Sequence, residues 1–282
     1  MNNSVKIKCP AKINLTLEIV NKREDGFHNI KSIMQLINLY DYLTITIAES
    51  ECNKITLSGT SEEIPYDERN LVYKAVNLYL RKAKITNLAV DVFIEKNIPI
   101  AAGLAGGSTD AAGVLWGLNY LLKEFSEEAI NELCSELGSD LNVCLNGGCT
   151  LATSRGEVTK KLPVLQKNVT LIKPKNLGIS AKEAYTKYAL KDFKPQNNMT
   201  EKMLIALDKK AEISDYLYND LEYAIFDDYK ELQSIKKAYP NAIMSGSGST
   251  YFVLENISTN KLSEDYIFIN NLEFVEVGVG LA

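Results

Sequence analysis

Apolar and polar residues begin to alternate a few positions into the chain. Val5-Lys6-Ile7-Lys8-Cys9 and Ile13-Asn14-Leu15-Thr16-Leu17-Glu18-Ile19 both repeat every second residue, the pattern of half-buried strands. Pro10 between them predicts a bend or an edge position, because proline has no N–H to give to a ladder. Residues 21–29 are charged and contain Gly26, which marks a loop, and strand patterns follow over 32–37, 42–48 and 54–58. Over 70–84 the period lengthens. Val72, Ala75, Val76 and Tyr79 share one helical face, and basic residues gather at its C-terminal end, where the helix dipole favours them.

Leu88, Val90, Val92 and Ile94 alternate again as a strand, and a Gly-rich loop over 99–107 leads into a helix over 108–123. Ser126-Glu127-Glu128 opens the next helix with a hydroxyl cap and an acidic first turn, and Gly138 stops it. A shift in composition near 162–168 predicts a boundary between domains over 1–160 and 161–282. Beyond it, 169–172 reads as a strand, helices are expected over 181–190, 199–210, 215–226 and 229–239, and strands over 242–244, 251–255 and 274–279. Strands come first and often follow one another directly, so the fold class is α+β and not a regular βαβ array.

Composition narrows the chemistry. The 282 residues carry 31 Lys+Arg against 36 Asp+Glu and a single histidine, His28. One imidazole cannot build a zinc site of the H-E-x-x-H kind, and His28-Asn29-Ile30 is not the H-R-D of a protein kinase. A Ser-His-Asp triad is possible only with His28 as base. Mild acidity argues against a broad nucleic-acid surface. The five cysteines (Cys9, Cys52, Cys134, Cys144, Cys149) include no C-x-x-C pair, so reduced, mostly buried thiols are expected. Lys6, Lys8 and Lys12 interrupt what a signal peptide would need as an apolar run, and no stretch of about 18 apolar residues exists. The expectation is a soluble, cytoplasmic protein, with no membrane, nucleic-acid or obligatory protein partner.

The segment richest in chemistry is Pro99-Ile100-Ala101-Ala102-Gly103-Leu104-Ala105-Gly106-Gly107-Ser108-Thr109. Glycines let a backbone approach a ligand closely, and the helix that follows starts with unpaired N–H groups and partial positive charge. Together they suit phosphates, with Ser108 and Thr109 adding hydroxyls for phosphate or Mg²⁺. It is neither a P-loop nor a Rossmann fingerprint. A plain strand-to-helix turn with Ser108 as N-cap stays open on this segment alone. Lys12 and Asn14 fall on one side of their strand, where a lysine most often faces solvent. Asp140, in Gly138-Ser139-Asp140, follows a helix terminus and could be a simple cap. Ser245-Gly246-Ser247-Gly248-Ser249-Thr250 could be a hairpin turn or a second backbone surface against the phosphate loop.

Taken in order, these segments resemble the GHMP kinases. The resemblance is carried by Pro10–Leu15, Asp25-Gly26-Phe27-His28, Pro99–Ala112, Gly138-Ser139-Asp140, Arg155-Gly156-Glu157, Asn219-Asp220-Leu221-Glu222 and Ser245–Ser249, from residue 6 to about 255. It implies a two-domain architecture, with an N-terminal domain like domain 2 of ribosomal protein S5 and a ferredoxin-like C-terminal domain. It further implies an ATP-dependent kinase, with Mg²⁺, whose acceptor is the 2-hydroxyl of a cytidine diphosphate-linked methylerythritol. Carried over residue by residue, Asp140 is the catalytic base and Lys12 its charge partner. Residues 99–109 hold the ATP phosphates, Asn14 lies near the acceptor alcohol, and Phe27, His28 and Tyr185 surround the cytosine. No protein side chain is assigned as a metal ligand.

This chain departs from the family pattern at four places. Ala105 stands where Gly is common, which suits a negative φ, and Thr109 stands for Ser. Leu141-Asn142-Val143 follows Asp140 in place of Val-Pro-Phe, and Ala181 stands where Thr is usual. Tyr66, Asn70 and Lys96 are placed where adenine contacts could form. Two rival readings remain: a family member acting on homoserine or a mevalonate derivative, and a catalytically silent nucleotide-binding protein. Asp25–His28 with Tyr185 speak against the first, and the pair Lys12 and Asp140 against the second.

Overall fold

Two sheets, with helices laid against them, make up the computed structural model over its described residues, 3–191 and 198–282. Strands β1 (Ser4–Lys22) and β2 (His28–Glu49) form one long antiparallel hairpin. In its turn Arg23 N–H donates to Phe27 O at 2.8 Å, and the Asp25 carboxylate accepts from Phe27 N–H at 3.1 Å. Sequence alternation suggests shorter, separate strands, but the ladder runs through Pro10. It does so because the register shifts between Pro10 and Ala11, a place where the missing N–H does no harm.

β3 (Lys54–Gly59) lies parallel beside β4 (Leu88–Glu95), which pairs with β2. Between them α1 (Leu71–Lys82) buries the face that the spacing marks, and the Asn70 side chain caps it by accepting from Val72 N–H at 2.9 Å. Then come α2 (Gly106–Leu122), α3 (Glu127–Leu137) and the short α4 (Leu141–Asn146). α3 is capped by Ser126 and closed at Gly138, as its sequence predicts. β5 (Cys149–Ser154) and β6 (Val158–Leu162) complete this side of the first sheet.

The second sheet starts after 162–168, where the composition shifts. β7 (Asn168–Pro174) is followed by α5 (Ala181–Leu190), α6 (Met199–Asp208), β8 (Tyr218–Asn219), α7 (Asp220–Ile225) and α8 (Lys230–Ala238). β9 (Ile243–Met244), β10 (Tyr251–Val253), β11 (Tyr266–Glu273) and β12 (Gly280–Leu281) end the chain. The sheet order is β11-β7-β10-β9, while β8 and β12 return to pair with β1. The helix expected over 215–226 is therefore split, into a 3₁₀ turn at Ser214–Tyr216, β8 and α7. The strand expected over 274–279 lies just upstream as β11; Phe274 makes only an isolated bridge to Ile37.

β1 ties these parts together through its period of two. Its odd residues thread successive cores: Val5, Ile7 and Cys9 under α1–α3, then Ala11, Ile13 and Leu15, then Leu17 and Ile19 beside α7. Its even residues face the other way. Among them Lys12 and Asn14 are buried, on the side that carries the site.

Candidate active site

The glycine-rich segment is held from below and open above. Ile98, Ala102 and Leu104 are buried in the core and anchor the loop. Gly103 has φ +73°, and a Cβ there would lie 2.0 Å from Ser245 O, so the residue must be glycine for the 245–248 loop to close on it. Ser245 Oγ donates to Gly103 O at 3.0 Å, and Asn219 Nδ2 fastens the same loop through Met244 O and Gly246 O at 2.7 and 2.8 Å. The Gly/Ser segment is thus a second backbone surface against the glycine-rich loop and not a free hairpin tip.

α2 starts at Gly106 with no side chain capping it. The N–H groups of its first residues therefore have no capping partner, the arrangement that attracts an anion. Ser108 lines the cavity above. Thr109 does not: it is fully buried, and its N–H is bonded to Ala105 O at 2.9 Å. Ala105, where a negative φ is expected for a methyl-bearing residue, has φ +60°. The turn is thus left-handed despite the methyl group.

Lys12 and Asp140 meet beside this loop. Lys12 Nζ donates to Asn14 Oδ1 at 2.6 Å and to Gly103 O at 3.0 Å, and lies 3.7 Å from Asp140 Oδ2. The Lys12 side chain is 4% exposed and that of Asp140 30%. Asp140 precedes α4 but makes no capping bond, so its carboxylate is free for the cavity. The changed residues after it settle into this helix: Leu141 and Val143 are buried, and Asn142 Nδ2 binds Ser135 Oγ at 2.8 Å. Asn14 Nδ2 donates to Ser32 Oγ at 2.9 Å, so the amide is fixed at both ends.

The hairpin turn and α5 supply the aromatic end. His28 stacks on Tyr185, with ring centroids 5.3 Å apart and planes at 17°, and meets Tyr188 edge-on at 6.0 Å. Tyr185 thus rests on His28 itself. Phe27 is exposed, with the Arg155 guanidinium 5.5 Å from its ring centre. Burial, helped by the nearby Lys22 charge, lowers the His28 pKa from its ordinary 6.5, which favours a neutral ring. Burial likewise raises the Tyr185 hydroxyl well above its usual range.

One cavity of about 760 Å³ joins these groups. Lys12, Asn14, Phe27, His28, Gly103, Ala105, Ser108, Asp140 and Tyr185 all line it. It is also lined by Lys22, Arg155 and Lys182, cations that a reading of single residues passes over because exposed basic side chains are common. The arrangement offers amides for phosphates, a carboxylate able to take a proton, and an ammonium within reach of both. The residues placed for adenine have other partners. Asn70 caps α1, the Tyr66 hydroxyl bonds to Ser61 O at 2.7 Å, and Lys96 is held by Asp41 and Asp110.

Known proteins show the same outline. Residues 70–150 match the N-terminal domain of the GHMP kinases. The chain is 40% identical over 264 residues to the 4-diphosphocytidyl-2-C-methyl-D-erythritol kinase of Carboxydothermus hydrogenoformans, covering 90% of each chain. It is 39% identical over 260 residues to the kinase of that name from Clostridioides difficile, covering 89% of this chain and 86% of that one. Among solved structures, a 4-(cytidine 5'-diphospho)-2C-methyl-D-erythritol kinase superposes with a TM-score of 0.76 at 29% identity, covering 96% and 99% of the two chains. A homoserine kinase from Cytophaga hutchinsonii superposes with 0.78 at 19% identity over 100% and 98%, a likeness of fold alone.

Proposed function

The chain belongs to the 4-diphosphocytidyl-2-C-methyl-D-erythritol kinases of the GHMP kinase family, ATP-dependent phosphotransferases acting on an alcohol, and from that premise we propose how its residues divide the work. The acceptor is the 2-hydroxyl of 4-diphosphocytidyl-2-C-methyl-D-erythritol, in the non-mevalonate route to isoprenoid precursors. The observation that carries this reading is the single cavity, lined by the phosphate loop, the Lys12–Asp140 pair and the His28–Tyr185 stack together.

Phosphoryl transfer asks the protein mainly for position and charge stabilisation. The amides at the start of α2 hold the β- and γ-phosphates. Asp140 takes the proton of the acceptor hydroxyl as its oxygen bonds to the γ-phosphorus and the bond to the ADP oxygen breaks. Lys12, touching the loop through Gly103 O, offsets charge on the group in transit. Among the described residues no three His, Cys, Asp or Glu side chains cluster as a metal site. A Mg²⁺ ion carried on ATP would find the Ser108 hydroxyl as a hard oxygen donor at the start of α2. It would neutralise charge on the β- and γ-phosphates. Phe27, His28 and Tyr185 receive the cytosine, and Asn14, held rigid by its two bonds, orients the alcohol.

The fold is that of the GHMP kinases. The two units, 1–160 and 161–282, are read as an S5-like and a ferredoxin-like domain, with β8 and β12 crossing back to brace the first. No helix among the described residues is long and apolar enough to cross a membrane. Release of ADP, followed with and without the cytidyl substrate, tests the assignment. Turnover that requires the cytidyl compound is the expected result. Turnover with homoserine or mevalonate in its place would overturn the substrate, and ATP binding without turnover would overturn the catalytic roles.

A further inference from the structure

The chain on both sides of the phosphate loop is fastened to one buried ammonium. Lys96 follows β4, Asp41 lies on β2, and Asp110 stands near the start of α2. Lys96 Nζ binds Asp41 Oδ2 closely and Asp110 Oδ2 at 3.0 Å, and the three side chains are 6%, 0% and 3% exposed. The second oxygen of Asp41 accepts the N–H groups of Asn97 and Ile98 at 2.6 and 2.8 Å, immediately before Pro99. The ammonium also lies under the first residue of α2, since a Cβ on Gly106 would sit 2.8 Å from it. Entrance and exit of the loop therefore converge on one point, and none of the three residues lines the cavity.

We infer that Lys96, clamped between Asp41 and Asp110, is a positioning residue for ATP, fixing the loop amides without touching the nucleotide. The inference rests on the proposed phosphate role of the 99–109 loop. Amides stabilise an anion best when they are already aimed, so that nothing reorganises when charge develops. A loop with several left-handed residues needs its ends held, and a buried charge network does this with fixed directions. Burial opposes the Lys96 charge, but the two carboxylates outweigh it and raise its pKa. Burial also pushes Asp110 up against the pull of Lys96, and its Oδ1 has no partner. The network is thus anchored firmly at Asp41 and more weakly at Asp110.

Asp110→Asn provides the test, because it keeps the shape and removes negative charge. If Asp110 acted only through its charge near the phosphates, its loss would lower the KM for ATP. Positioning predicts the reverse: KM for ATP rises about ten-fold, while KM for the cytidyl substrate stays within roughly two-fold. The neutral triple variant Asp41→Asn/Lys96→Met/Asp110→Asn, which leaves no buried charge unpaired, should raise KM for ATP further and lower kcat. It also carries the test should the single variant not fold. A KM for ATP that is unchanged or lower, or both KM values rising together, overturns the inference. Gly107→Asp serves as the control, since position 107 has open space beside it. If that variant leaves KM for ATP unmoved, the phosphate-loop reading itself fails. If it raises KM for ATP and Asp110→Asn does not, only the role of Lys96 falls.

Discussion

Two lysines lie near the glycine-rich loop, both buried and both paired with aspartate, yet they are built in opposite ways. On the cavity side Lys12 stands 3.7 Å from Asp140, beyond a hydrogen bond, and the carboxylate is 30% exposed. Beneath the loop Lys96 is bonded to two carboxylates that water scarcely reaches. The first pair leaves donor and acceptor capacity free for a substrate, and the second uses its capacity on the fold. Burial and charge alone do not separate a catalytic pair from a structural one. Unspent hydrogen bonds facing a cavity do.

The comparison breaks first if the loose pair proves unimportant to turnover. Asp140→Asn keeps the shape and removes the proposed base, so kcat should fall about 10²–10⁴-fold. Lys12→Met should cost about 10²–10³-fold or more through lost charge stabilisation. Steady-state ADP release measures both. Near-wild-type turnover in Asp140→Asn would remove the carboxylate from its role as base.

The difference should show in reverse when stability is measured. Lys96→Met leaves two carboxylates buried without their counter-ion and should cost about 3–5 kcal/mol. Lys12→Met leaves Asp140 to the solvent of the cavity but strands Asn14 Oδ1, while Gly103 O keeps its bond from Ser245 Oγ, for about 1–3 kcal/mol. Urea unfolding of the two variants decides the order. If Lys12→Met is the more damaging of the two, its pairing is structural after all.

Only part of this contrast could be read from the chain. Local rules gave α1, β4 and the caps of α3 because each depends on neighbours a few residues away. The ladder through Pro10 was hidden, since its register shift is set by the partner strand. β5, β6 and α4 give no clear local signal, β11 lies several residues upstream of its expected place, and the two-residue strands β8 and β12 exist only because β1 is there to receive them. At the site, Lys12, Asp140, Phe27, His28, Tyr185 and the loop were named through family resemblance, and one cavity collects them. The joining of Asp41, Lys96 and Asp110 carries no such mark. Lys96 is singled out only for adenine, and Asp110 lies in Pro99–Ala112 without a role of its own. Asp41 reads as an ordinary surface charge until folding buries the three together.

The aromatic end sharpens the picture of a side left open for substrate. His28 is held by a stack on Tyr185 and an edge contact with Tyr188, so His28→Ala should raise KM for the cytidyl substrate by up to about ten-fold and leave that for ATP unchanged. Because the pKa of His28 is lowered in the fold, its contribution to stability is full above the ordinary value of 6.5. It is lost as pH falls through the lower, folded value. Between pH 8 and 5 the Tm of the wild type should therefore drop relative to that of His28→Gln. Parallel curves would mean that the ring titrates as it does in the unfolded chain.

The smallest effect belongs to the seam where the open face and the clamped underside meet. Ala105 holds φ +60° and ψ +27° at the start of α2, a conformation that costs a residue with a Cβ about 1–2 kcal/mol. Glycine removes that cost but has more freedom to lose from the unfolded chain, so Ala105→Gly should gain about 0.5–1 kcal/mol net. For a chain of this size that is a rise in Tm of about 2 °C. KM for ATP should not change, because the amides keep their places and the fastening at Lys96 is untouched. A gain in stability together with a poorer KM for ATP would show that the methyl group itself stiffens the loop. The underside clamp would then share its work with a single side chain on the cavity face.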